Sequence, residues 1–327
     1  IFLKNLIRKN RIKNLTVWAI DTQNSYVGLG AKFNKLALKA AIISDIMYDI
    51  KNTLKVLAKD RNGAMQVFNR QWQEIIHCLA NNGVLLERQL RQTAFTLADI
   101  PLKYPLAQSK TVALMGEIYI RRDDFCCNVI IERLAQKGFI VKTQPVLEWL
   151  YYVDYLVKRR LIESNLDFFG RIEFMLNNYL QKKYEKKIKE ILARSGLYKN
   201  DSVEIEKIIE RGKHFVGEQL TGESIVVIGS ALKEIIHSVC GVINVGPFAC
   251  LPTRIVEAIL STNMNLKTRM RLEGCDFNNM DDLQDLPFLS IEIDGNPFPP
   301  LIDAKLEAFC LQAERLHKKI SHSQSLL

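Results

Sequence analysis

The stretch Gly241–Leu260, GVINVGPFACLPTRIVEAIL, decides the fold class, because it reads as a buried strand, a tight turn carrying one cysteine, and a helix. Gly241-Val242-Ile243-Asn244-Val245 is short and mostly β-branched, and Gly246-Pro247 closes it, which fits an interior strand of a parallel sheet. Pro252 suits a first helical residue, and Ile255, Val256 and Ile259 make one apolar face. Cys250 therefore lies between strand and helix. Ligands of open α/β sheets collect at the carboxyl ends of the strands, and a helix N-terminus favours negative charge. A metal-ligating or reactive thiol belongs in such a place.

Working outward, Lys110–Ile120 (KTVALMGEIYI) reads as a second buried strand, with Asp123 or Asp124 capping the helix after it. Val129, Ile130 and Leu134 form that helix's inward stripe, Gly138 closes it, and Phe139-Ile140-Val141 is the next strand. This is a β-α-β crossover, for which parallel, right-handed pairing is expected. Phe288–Ile293 reads as a fourth strand, stopped by Asp294-Gly295-Asn296, and Ile302–Lys319 as a final helix. Four more helices are expected between the strand pairs: Val146–Glu163, opened by Pro145, then Asp167–Ser195, Val203–Arg211 and Glu223–Val239, the last despite Gly229. Helices also precede Pro101, over Lys32–Ala58 and Gln66–Leu79. The expectation is an α/β protein with a Rossmann-like parallel sheet and flanking helices, plus an amino-terminal helical layer and a helical insertion. Residues 1–105 are read as a helical region completing a domain truncated upstream, and 106–327 as the Rossmann-like domain, with its insertion near 146–222. The start at Ile1 without methionine is read as the cut end of a longer chain.

Composition narrows the class. The 327 residues are 48% hydrophobic, ample for cores, and no apolar run approaches the roughly 18 residues of a membrane span. Seven scattered cysteines are an odd number and suggest no disulfide framework, which favours a reducing, cytoplasmic location. The net charge of +9 is unevenly spread: residues 1–100 carry 15 basic and 7 acidic groups, 101–200 carry 18 and 11, and 201–327 carry 12 and 18. Much of the positive charge lies in runs such as Gln181–Glu190, QKKYEKKIKE, which reads as a solvated helix face. Without zinc-finger spacing or an aromatic RNA-binding motif, neither nucleic acid nor membrane is expected as a partner.

Few motifs carry chemistry. Gly28-Leu29-Gly30 lacks a third glycine and a preceding strand, so it is no dinucleotide loop, and no phosphate-binding P-loop is present. Cys126 and Cys127 are adjacent on a helix and point apart, which does not make a zinc site. Glu117, in GEIYIRRD, falls near the carboxyl end of its strand and is the candidate catalytic carboxylate, on the same edge as Cys250. Asp294 and the turn after it reach that edge too. Helix capping for Glu117 and inert packing for Cys250 are the plain alternatives.

A family resemblance bears on this choice. GEIYIRRDDF, IIERLAQKGFIVKTQPVLEWLYY, GESIVVIGSALKEI, GVINVGPFACLPTRIVEAIL, FLSIEIDGN and KLEAF, in that order, resemble the carboxyl-terminal part of the large 2-hydroxyacyl-CoA dehydratase activator-related proteins. These CoA-substrate-specific enzyme activases join an ASKHA-type ATPase to a dehydratase-like region. The resemblance spans Leu36 to Leu311 and implies an iron-sulfur cluster, of 4Fe-4S or double-cubane type, with Cys250 as its cofactor-binding and metal-ligating residue. It implies an ATP-dependent electron-transfer protein from an anaerobic system, passing low-potential electrons to an acyl-CoA or other small acceptor. ATP would bind in the missing upstream domain, and the partner would be an ATPase/activase domain of the same or another chain; a homodimer is allowed. The chain lacks the ATPase phosphate loops, that part's cluster cysteines and the amino-terminal dehydratase-like cysteines, and has Ala249 where many relatives carry glycine. Two rival readings are a non-catalytic interaction module that docks an ATPase partner, and a thiol-nucleophile acyltransferase using His237.

Overall fold

The structure, a computed structural model, describes residues 2–15, 30–162, 168–273, 285–294 and 300–325. Four strands form one sheet: β1 (Lys110–Gly116), β2 (Phe139–Thr143), β3 (Val242–Pro247) and β4 (Phe288–Ile293). All pairings are parallel and the spatial order is β2-β1-β3-β4, so the α/β, Rossmann-like expectation is met. Before the sheet come α1 (Phe2–Lys9), α2 (Gly30–Leu57), α3 (Arg61–Ala80) and α4 (Leu86–Ala98). Helix α5 (Asp124–Gln136) joins β1 to β2; α6 (Val146–Lys158), α7 (Phe168–Ala193), α8 (Ile205–Gly212) and α9 (Glu223–Glu234) lie between β2 and β3. Then α10 (Leu251–Asn263) and α11 (Leu266–Glu273) precede β4, and α12 (Pro300–Ser325) follows it.

The strand order creates a switch point. From β1 the chain crosses by α5 to β2 on one side, and from β3 by α10 to β4 on the other. Right-handed crossovers in opposite directions send their helices to opposite faces, leaving a crevice between β1 and β3 at the carboxyl edge. On one face α5 is tied to α12 through Arg133–Asp303 and Lys137–Glu307. On the other α9 meets α10, where Ser224 Oγ donates to the carbonyl of Pro252 at 3.1 Å.

Helix α2 covers the outer edge of β2, and three polar residues one or two turns apart explain how. Asn52 Nδ2 donates to the carbonyl of Val141 at 3.1 Å, and Asp49 Oδ1 accepts from the amide of Thr143 at 3.0 Å. These are edge groups that another strand would otherwise satisfy. One turn earlier, Asp45 accepts from the amides of Val146 and Leu147, both at 3.0 Å, and so caps α6 from a different element, while also pairing with Arg122. The largest buried cluster runs without a break from Ile42 of α2 to Leu316 of α12, across the expected boundary near 105.

Several expected bounds move, each for a local reason. The first strand stops at Gly116 rather than Ile120, because Gly116 takes φ 115° and Glu117 Oε2 accepts from the Ile120 amide at 2.8 Å, opening a 3-10 turn over Ile120–Arg122. Helix α9 ends at Glu234 rather than Val239, since Ile236 turns to φ 75° and its amide donates to Val239. Helix α10 starts at Leu251, which makes Cys250 the N-cap and puts Pro252 second. Helix α6 stops at Lys158, and α11 has no counterpart among the expectations. Gly229 belongs to α9 because a β-carbon there would lie 2.0 Å from the carbonyl oxygen of Ile208 on α8. Gly28-Leu29, Cys275 and Gly295-Asn296 lie outside the described residues.

Candidate functional site at the carboxyl edge

Parallel strands deliver their following loops to one edge. Register pairs Gly116 with Val245 and Pro247 with Ile293, so Glu117, Cys250 and Asp294, which follow β1, β3 and β4, share the carboxyl edge. Position does not give them equal chemistry. The Glu117 carboxylate accepts the Ile120 amide and closes the turn after β1, which is the capping role. Cys250 is half-buried at the start of α10, whose N-terminus has no side-chain cap. Its neighbour Ala249 takes φ 59°, a left-handed conformation that glycine adopts more readily than alanine. Glu292 at the end of β4 holds this loop, accepting from the Ala249 amide at 3.3 Å and from Arg254 at 2.6 Å.

Behind this edge runs a buried polar chain that motif reading does not find. Arg121 is 2% exposed; its guanidinium donates to the carbonyl of Gly116 and, at 3.1 Å, to Gln144 Oε1 just beyond β2. Gln144 Nε2 and Ser230 Oγ both donate to Glu148 Oε1 at 2.5 Å, joining α6 and α9 to the strand ends. Burial holds the Glu148 carboxyl above its ordinary range and the Arg121 guanidinium below its own. Glu223, the first residue of α9, is a titratable group at this edge: burial pushes its carboxyl up to about 6, Arg121 opposes the rise and Glu117 adds to it. The sequence signal that could have found it is an acidic residue opening a helix that feeds the central strand.

Across the crevice, Asn244 of β3 is wholly buried, its Nδ2 donating to Ser290 Oγ at 3.0 Å and to the Thr253 carbonyl at 3.3 Å, with no hydrogen-bond partner at Oδ1 among the described residues. A β-carbon on Gly116 would lie 2.9 Å from that oxygen and 2.0 Å from the carbonyl oxygen of Val245. Only glycine lets β1 and β3 approach so closely at the crevice floor. The rim is apolar: Tyr119, Phe125, Phe248 and Leu251 are 70, 65, 69 and 67% exposed.

Burial pushes the thiol of Cys126 up to about 11, helped by Asp123, that of Cys127 to about 12, Cys240 to about 12 and Cys310 to about 11. Such thiols stay protonated and are weak ligands. Among the described residues no group of three or more His, Cys, Asp or Glu side chains could hold a metal ion. His237 precedes β3 while Cys250 follows it, and its Nε2 lies 2.9 Å from Glu273, so it stands at the opposite edge from the thiol. The acyltransferase pairing does not form.

A cavity of about 60 Å³ lies under α2 at the end of β2, lined by residues that include Asp45, Asp49, Lys142, Lys189, Tyr198 and Glu234. Its charges are largely paired: Lys142 with Glu234 at 2.8 Å and Asp201 at 3.3 Å, and Lys189 with Glu185 at 2.6 Å. The pairs bind the helical insertion to the sheet. Comparison with known protein families, curated proteins and solved structures finds no match in any of the three.

Proposed function

We propose that this chain is the carboxyl-terminal, dehydratase-like part of an ATP-dependent iron-sulfur electron-transfer protein, working in the cytoplasm. The supporting observation is the position of Cys250: a half-buried thiol heading a helix without a side-chain cap, on the carboxyl edge of a parallel sheet, beside the switch-point crevice. A cluster needs several thiolates, and the described residues do not supply them. As they stand these residues do not form a cluster site, so the chain's own part is to present one thiol and an apolar rim. Phe248 and Leu251 flank that thiol and would exclude water once covered. Glu223 is the group here able to hold or release a proton near neutral pH. At this edge Glu117, Asp123, Asp124, Glu223, Glu292 and Asp294 outnumber Arg121, Arg122 and Arg254, a negative balance that favours a small uncharged acceptor over polyanionic CoA.

The test uses the full-length natural polypeptide, reconstituted anaerobically with iron and sulfide. Iron content, the charge-transfer absorbance and the reduced-state paramagnetic signal should fall sharply in Cys250→Ala and remain in Cys126→Ala and Cys127→Ala. Full iron and an unchanged spectrum in Cys250→Ala would reduce that residue to packing. The exposed rim of Tyr119, Phe125, Phe248 and Leu251 also favours a second reading, a non-catalytic module that docks an ATPase domain. Binding of the ATPase domain that is unchanged by Cys250→Ala and lost in Phe248→Asp would select it.

A further inference from the structure

Helix α7 carries two faces of opposite use. At about 100° per residue, Glu185, Ile188 and Leu192 turn into the body and are buried, where α7 packs against α2 and α4. The opposite face begins with Ile172, Met175, Leu176 and Tyr179, spaced i, i+3, i+4 and i+7, which are 51, 71, 56 and 65% exposed. Single exposed apolar residues are ordinary, but four in one stripe on the solvent side of one helix mark a contact surface. The same face continues into lysine: Lys182 and Lys183 are exposed, Lys186 is exposed with Glu190 4.0 Å away one turn on, and Lys187 reaches Glu87 at 2.6 Å. An apolar stripe thus leads along one line into a positive patch.

We propose that this face of α7 docks an acidic partner protein, which sets an apolar surface on Ile172, Met175, Leu176 and Tyr179 and carboxylates on Lys182, Lys183 and Lys186. Charge order along the helix selects this occupant. In a second copy packed parallel, lysines would face lysines; packed antiparallel, each lysine group would lie beside the other helix's positive N-terminal end. A membrane is disfavoured as well. A helix lying on a bilayer keeps its basic residues on the polar face, whereas here they share the apolar line and would be driven towards the acyl chains.

The experiment places a photoreactive benzoylphenylalanine at position 179 of the full chain in the cells it comes from, followed by irradiation and identification of the adduct. The identified protein is then purified and its affinity measured. The proposal expects one heterologous protein, cross-linked through a segment with apolar and acidic residues. Its binding should weaken about tenfold or more in Met175→Glu/Leu176→Glu and in Lys182→Glu/Lys183→Glu, and weaken as salt rises. These sites are exposed, so unchanged circular dichroism should accompany the loss. An adduct with a second copy of this chain, binding to vesicles of phosphatidylcholine and phosphatidylserine, the absence of any adduct, or a partner indifferent to both double variants would each overturn it.

Discussion

Asp45 shows how one residue can hold three elements. Standing on α2, it caps α6 and neutralises Arg122, and both it and the arginine are largely buried. Asp45→Ala removes the cap and strands a buried cation, an expected loss of about 3 kcal/mol in urea unfolding. One turn on, Asp49 makes a prediction about pH. Burial raises its carboxyl from 3.8 to about 7, against the pull of the Thr143 amide, Arg122 and Lys142. The folded state therefore binds a proton that the unfolded chain has released between those values, and stability falls as pH rises through that window. Asp49→Asn, which keeps the acceptor for Thr143, should lose less stability than the parent between pH 5 and pH 8. Asp154, also raised to about 7, and Glu223, raised to about 6, act in the same direction, so the slope should shrink without vanishing.

Among the elements, the close crossing of α8 and α9 depends on reciprocal glycines. A β-carbon at Gly212 would lie 2.2 Å from the Ile225 carbonyl oxygen, and one at Gly229 would lie 2.0 Å from that of Ile208. Gly229→Ala should force the helices apart and cost about 2 kcal/mol, seen as a lower urea midpoint with unchanged helical circular dichroism. The sequence declared these helices by periodicity yet offered no reason for the glycine, because the reason is a backbone 21 residues away. The strands were legible for the opposite reason: Val242-Ile243 and Val112 to Met115 carry their burial in their own composition. The edge shared by Glu117 and Cys250 followed from parallel pairing alone. What could not be read was the order β2-β1-β3-β4, and with it the chain from Gly116 through Arg121, Gln144 and Glu148 to Ser230, whose members come from three separate stretches, 116–121, 144–148 and 230. Short-range patterns place residues on an edge; only tertiary order sets them in contact.

For the whole molecule, the buried cluster that crosses the expected boundary near 105 means that the helical layer and the sheet share one interior. Residues 106–327 made alone would expose the edge of β2 and the pocket left by α2. That fragment should bind a hydrophobic dye and lack a cooperative thermal transition, whereas two independent domains would leave it with a sharp one. The position of β1 carries a further consequence, for the order of events on the ribosome. It lies in the middle of the sheet, but one of its two neighbours, β3, is encoded only after α5 to α9 have been made. At about 5–20 residues per second, the nascent chain holds one side of β1 open for roughly ten seconds before β3 arrives. Slowing synthesis within α7 or α8 should thus lower the soluble yield without altering the finished protein, and a chaperone that shields an unpaired strand should restore it.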